Sequence, residues 1–255
     1  MSDGARAGAK IWAVDFSSQG ARPLHEDAVV CDLEKQVFAV ADGFGGGPAG
    51  IQAARLSCDS ARAFLAREAR DPDATMPFVL KQYYSLAGNV LFNAVLYANQ
   101  QVQAWNSKRA VGARGGASLT AAFLDGQALA IAQVGGTRAY LLRQGHLEAL
   151  TEPRSYSSFC DPADREGGRR DAPLMAIGVT ADVEPEIREY RVESGDWIVL
   201  CTDGIAESRI AEFGARIREA TEATHSEALL GAMVEDFWRS QLYADNASGV
   251  FIRII

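Results

Sequence analysis

Three apolar runs in this chain end or begin on a carboxylate, and no other feature restricts the fold as much. VFAVADG (Val37 to Gly43) runs into Asp42, DWIVLCTDG (Asp196 to Gly204) runs into Asp203, and Asp245 with Asn246 stands just ahead of SGVFIRII. Short runs of this kind, bounded by Gly, Asp and Asn, read as buried strands. A carboxylate at the end of such a strand is held by a rigid sheet yet faces the rim, where a hard divalent cation collects oxygen ligands. Acids far apart in sequence are thereby expected to meet around metal. Earlier in the chain, GARPLHED (Gly20 to Asp27) sets Arg22 ahead of the pair Glu26 and Asp27. An arginine beside a carboxylate-held metal suits a phosphate, because its planar fork matches two phosphate oxygens. The reactants implied are a phosphate ester and water.

The remaining periodicity extends this frame. Lys10 to Phe16 reads as a first strand, and Ala28 to Asp32 with Gln36 to Asp42 as a hairpin about the turn residues LEK. The glycine-rich GFGGGPAG opens a helix with Pro48 at an early position and apolar residues at helical spacing through Ala53, Leu56, Ala61, Phe64 and Leu65. A second helix is expected from about Pro77 to Trp105. SLTAAFLDGQALAIAQV is two apolar runs about Asp125 and Gly126, and TRAYLLRQGHLEAL two more about Gln144 and Gly145, which is an antiparallel meander. Glu186 to Val192 and Asp196 to Cys201 follow as strands, then two helices within Ile205 to Tyr243, then a last strand from Gly249 to Ile255. Hairpin strands with two separated helical pairs imply an α+β fold, most simply two antiparallel sheets face to face with helices outside.

Composition narrows the function classes. The 255 residues carry no linker-like stretch, so one domain spanning 1–255 is expected, and 48% hydrophobic residues suffice for a core without metal or disulfides as staples. A formal net charge of −8 argues against nucleic acid or an anionic membrane as partner, REGGRR at 165–170 being only a local exception. The four cysteines, Cys31, Cys58, Cys160 and Cys201, form no C-x-x-C pair, which points to a reduced, cytoplasmic compartment. Neither a signal peptide nor a run long enough to span a membrane is visible.

Taken in order, the motifs resemble the metal-dependent protein serine/threonine phosphatases of type 2C in their compact bacterial form. The R-x-x-x-E-D element stands at Arg22 to Asp27, V-A-D-G-x-G-G at Val40 to Gly46, the hairpin element at Gly135 to Tyr140, C-T-D-G at Cys201 to Gly204, and the terminal D-N at Asp245 and Asn246. A lone DG or DN is common turn chemistry; the shared order across nearly the whole chain is what is specific. The resemblance implies a four-layer α-β-β-α sandwich and two Mn2+ or Mg2+ ions. It further implies hydrolysis of phosphoserine and phosphothreonine on proteins phosphorylated by a serine/threonine kinase.

Residue by residue, it assigns Asp42 to bridge both metals, the Gly43 carbonyl to ligate one, Asp203 and Asp245 to the first metal and Glu26 to the second. Asp27 would accept a hydrogen bond from water at the centre, and Arg22 would hold the substrate phosphate. Each has a plainer reading: Asp42, Asp203 and Asp245 as turn or cap residues, Glu26 and Asp27 as an exposed pair, Arg22 as their counter-charge. His25, with only His146 and His225 elsewhere, has no zinc-type spacing and reads as structural. Asn246 is expected to orient Asp245, and Thr137, Arg138 and Tyr140 to pack or pair within their hairpin. GFGGGPAG lacks the lysine of a phosphate-cradling loop.

Three departures from the family pattern stand out. Gly136 occupies the place of an acid that helps hold a third, labile metal; the flap segment, about 151–185, is short and lacks the D-H-S element; Phe44 stands where some relatives have histidine. The first two suggest an alternative, a catalytically impaired regulatory or binding module; a hydrolase of small phosphorylated molecules would share the chemistry and differ only at the surface.

Overall fold

Alternation along the strands decides the layering. The computed structural model describes residues 10–68, 80–155, 173–223 and 226–255. Among these, one sheet has the order β1 (Ile11–Ser18), β10 (Ala247–Ile254), β9 (Trp197–Cys201), β6 (Arg138–Arg143), β7 (His146–Ala149). The other has the order β2 (Asp27–Asp32), β3 (Val37–Phe44), β4 (Gly116–Asp125), β5 (Ala128–Val134), β8 (Glu186–Arg191). All neighbouring strands are antiparallel. Both faces of these sheets are covered, so the strands are apolar on both sides and successive residues enter different cores.

On β3, Val37, Ala39 and Ala41 pack with α1 (Pro48–Glu68) and α2 (Leu86–Ser107), whereas Phe38 and Val40 turn inward. The inward set meets Ile198, Leu200, Val250 and Ile252 from the opposing sheet, forming a dry layer between the two. On the far side Trp197, Val199, Cys201 and Phe251 pack under α3 (Glu207–Ala223) and α4 (Glu227–Arg239). There Phe213 is 1% exposed and meets the Trp197 ring edge-on at 6.0 Å. The result is an α-β-β-α sandwich, and burying each large apolar side chain in these layers contributes about 1.5–3 kcal/mol.

Element boundaries differ from expectation in informative places. β3 runs to Phe44, two residues beyond Asp42, so this acid lies within the paired strand rather than past its end. α2 begins at Leu86, not near Pro77. Ser85 caps it, its hydroxyl accepting from Gly88 N at 3.3 Å, and Asn89 Nδ2 donates to the carbonyls of Lys81, Tyr84 and Ser85. These amide bonds satisfy backbone acceptors in a turn and set the helix start. Pro77 lies outside the described residues. So do residues 156–172 of the flap; its described parts make single bridges, Ser155 to Pro173 and Ile177 to Ala117. No helix among the described residues is long and apolar enough to cross a membrane.

Candidate metal centre

Strand register puts the acids where they are. Asp27 pairs directly with Asp42 across β2 and β3, and Asp42 in turn with Ser118 on β4. Asp42 has the parity of Val40, so it continues the inward face to the rim of the sandwich. Asp203 follows β9 and Asp245 precedes β10 on the opposing sheet. Face-to-face packing thus delivers acids from both sheets to one edge. There Arg22, Glu26, Asp42, Gly43, Asp203 and Asp245 line a cleft of about 630 Å³, together with the loop Gly45 to Gly47.

Two hydrogen bonds tie the sheets together at this rim. Thr202 Oγ1 donates to Asp27 Oδ2 at 2.9 Å, and Glu26 N donates to Asn246 Oδ1 at 2.8 Å. Asn246 Nδ2 also donates to the carbonyls of Gln19 at 2.8 Å and Leu24 at 2.9 Å. Asn246 therefore pins the whole Arg22 to Glu26 segment, a larger task than orienting Asp245. Arg22 Nη2 donates to Asp245 Oδ2, while its side chain remains 57% exposed. Asp27 is held by Thr202 and lies outside the cleft wall.

Desolvation and mutual repulsion dominate the electrostatics. Burial first, and then the charges of Asp203, Asp27, Asp245 and Glu26, push Asp42 well above the usual carboxylate range. Burial raises Asp27 to about 7, against the hydrogen bonds it accepts from Ser248 and Thr202. Burial raises Glu26 as well, opposed by Arg22. His25 is lowered by burial, and its Nε2 lies 2.7 Å from Ser17 Oγ.

Do these residues suit a metal? Every candidate donor is oxygen, which favours a hard cation such as magnesium or manganese over zinc. Glu26 Oε1 is buried with no hydrogen-bond partner, an arrangement that costs about 1–3 kcal/mol unless a cation faces it. Gly50 leaves the space this oxygen occupies: a Cβ there would stand 2.0 Å from it. Among the described residues no three acidic, His or Cys side chains are drawn into a closed cage. The donor set fits a hard divalent ion.

Comparison with known proteins places the chain in a family. The family model described as Protein phosphatase 2C matches residues 19–238. The chain belongs to the protein phosphatase 2C family. Among curated relatives, the serine/threonine protein phosphatase PstP of Mycobacterium tuberculosis is 26% identical over 216 residues, 80% of this chain. The chain spans 38% of that relative's length. PppA of Pseudomonas aeruginosa, described as a key regulatory component of T6SS, has a structure that superposes with a TM-score of 0.73 at 23% identity, covering 97% of this chain and 99% of that one. A structure of the PstP catalytic domain in complex with two manganese ions gives 0.70 at 22% identity, over 96% and 98%. Likeness at this identity establishes the shared fold.

Against this phosphatase 2C frame, one contributor escaped the sequence reading. Arg138 Nη2 donates to the carbonyls of Asp203 and Ile205, both at 3.1 Å, so it braces the loop that carries Asp203 instead of pairing only within its hairpin. The signal was its place in TRAY; its partner sits 65 residues away, in the loop after β9, which pairs with β6 only in the fold. Gly136 donates its N–H to Ser118 Oγ at 3.0 Å, beside the strand position opposite Asp42. A Cβ at Gly136 would meet only Ser118 Oγ, at 3.8 Å, and its φ is not positive.

Two outcomes are expected from this electrostatics and packing. An unfolded aspartate ionises near its ordinary 3.8, whereas folded Asp27 holds its proton to about 7 and Asp42 is raised with it. Across that window the folded chain binds more protons than the unfolded one, so in chelator the melting temperature falls as pH rises from about 4 to 7. Asp42→Asn should flatten part of that slope and melt higher than wild type at neutral pH in EDTA; a wild-type curve flat with pH would refute the buried-acid account. Gly136→Asp should fold with an unaltered melting temperature and add one weak manganese-binding event in calorimetry. Should the wild-type protein already show such an event, some other group has taken the missing acid's place.

Proposed function

We propose that this chain is a metal-dependent phosphatase that hydrolyses phosphoserine and phosphothreonine esters on proteins modified by a serine/threonine kinase. The observation that carries this reading is the single cleft lined by Arg22 and by carboxylates from both sheets. Glu26, Asp42, Asp203 and Asp245 would hold two divalent cations, manganese or magnesium, with the Gly43 carbonyl as a further oxygen donor. When bound, such ions supply Lewis acidity to phosphate oxygens and lower the pKa of water towards neutrality.

The chain's own groups do the rest. Arg22, exposed and hinged on Asp245, turns its fork to two phosphate oxygens and orients the ester for in-line attack by water. Asp27, paired with Asp42 across β2 and β3 and fixed by Thr202, would accept a hydrogen bond from water at the centre. Burial pushes the Cys31 and Cys201 thiols up to about 12 and raises Cys58 further, so none of these three supplies a thiolate nucleophile. The same thiols remain reduced in the cytoplasm, where we place the activity. Phe44 in the cleft cannot donate a proton, so the leaving alkoxide takes one from water.

Hydrolysis of a phosphothreonine peptide, measured after chelation and then with manganese restored, tests this function. Turnover should vanish and return, and the melting temperature should rise with metal. Asp203→Asn should lose nearly all turnover with its far-UV spectrum intact; wild-type rates in that variant would reduce Asp203 to a turn residue. Gly136 favours one alternative, an impaired relative acting as a binding module, which predicts metal binding without turnover.

Arg22→Ala separates phosphate binding from charge neutralisation. Loss of a charge-assisted contact is worth about 1.5–3 kcal/mol, so kcat/KM should fall about ten- to a hundredfold, mostly through KM. A variant that instead loses metal affinity with KM preserved would make this arginine a counter-charge for Asp245.

A further inference from the structure

α2 carries three amide side chains, Asn99, Gln103 and Asn106, spaced four and three residues apart and so on one helical face. All three are spent on one short turn at the end of the flap segment. Asn99 Nδ2 donates to the carbonyls of Thr180 at 3.1 Å and Ala181 at 3.2 Å, and its Oδ1 accepts from Gly178 N at 2.7 Å. Gln103 Nε2 donates to Thr180 O at 2.8 Å, and Asn106 Nδ2 donates to Gly178 O at 3.0 Å and Gly115 O at 2.7 Å. Asn99 and Asn106 are buried, and an amide in this setting is worth keeping only with its partners satisfied.

What this clamp presents is Val179, an apolar side chain left 62% exposed on an immobilised turn. Gly178 and Gly116 permit it. Gly178 has φ +84 and would drive a Cβ into Val102, and Gly116 leaves room for Phe44 and Val179 to flank it, each 2.6 Å from where a Cβ would lie. Phe44 also lines the acidic cleft, as does Leu24, itself 44% exposed. A single exposed valine needs no explanation. A valine fixed by buried amides, continuous through Phe44 with the cleft that holds Arg22 and the carboxylates, is a built ledge.

We propose that Val179, with Phe44 beneath it, is a specificity-determining ledge that takes an apolar side chain adjacent to the phosphorylated residue of a protein substrate. This inference rests on the phosphatase reading and names its substrate class. The clamp from Asn99, Gln103 and Asn106 positions the ledge. It pre-orders the contact, so the apolar gain is not spent on fixing the turn when substrate binds.

The test uses the full chain with manganese, two phosphothreonine peptides that differ only in carrying leucine or serine on either side of the phosphoresidue, and an aryl phosphate with no flanking residues. Wild type should favour the leucine peptide about fivefold or more in kcat/KM, through KM. Val179→Ser should erase that preference, Val179→Leu should retain it, and all three proteins should turn over the aryl phosphate alike. Equal use of both peptides by wild type, or a preference that survives in Val179→Ser, overturns the ledge while leaving the phosphatase reading intact. No turnover of any of the three substrates sinks the phosphatase reading, and the ledge falls with it.

Discussion

Face-to-face packing of two antiparallel sheets is the constraint on which everything else in this molecule depends. The inward residues of β3, β4, β5, β9 and β10 interdigitate in a layer of valine, leucine, isoleucine and phenylalanine. Once that layer forms, the strand ends of both sheets share one rim, and Glu26 and Asp42 from one sheet come to face Asp203 and Asp245 from the other. Hydrophobic burial, which is non-directional, supplies the force; the strand register supplies the placement. The cross-sheet bonds from Asn246 to Glu26 and from Thr202 to Asp27 fix what packing alone would leave loose.

The same packing works against the acids it gathers. Carboxylates paired directly across strands, as Asp27 and Asp42 are, destabilise a sheet and hold protons they would lose in water. Glu26 Oε1 is buried without a hydrogen-bond partner. Sites with such locally unfavourable charge are retained where a ligand relieves the repulsion, and here the oxygen-only donor set fits a hard cation. Stability and chemistry meet at the same few atoms, with the cost borne by the large cores on either side.

Polar side chains in the interior serve the rim more than the core. Arg138 braces the Asp203 loop, Asn246 ties the Arg22 to Glu26 segment, and the amides of α2 hold the turn at Val179. Each reaches across elements remote in sequence, and each satisfies backbone carbonyls or N–H groups that irregular segments leave without a ladder. The loops around the cleft are therefore held by directed bonds, the strands by burial.

The order of strands and helices, the two-sided burial and the family were legible in the sequence, because apolar period and turn residues are local signals. Asp125-Gly126 and Gln144-Gly145 mark hairpins by their own backbone preferences, Gly126, Gln144 and Gly145 all taking positive φ. The acids could be singled out because each abuts an apolar run. Sequence did not reveal that α2 starts at Leu86, since the amide bonds of Asn89 and the Ser85 cap outweigh helical spacing upstream. Nor did it reveal that Asp27 is buried opposite Asp42, that Arg22 pairs with Asp245, or that Arg138 reaches Asp203. Such facts depend on register and on which strands become neighbours, and only the packing of one sheet on the other determines both.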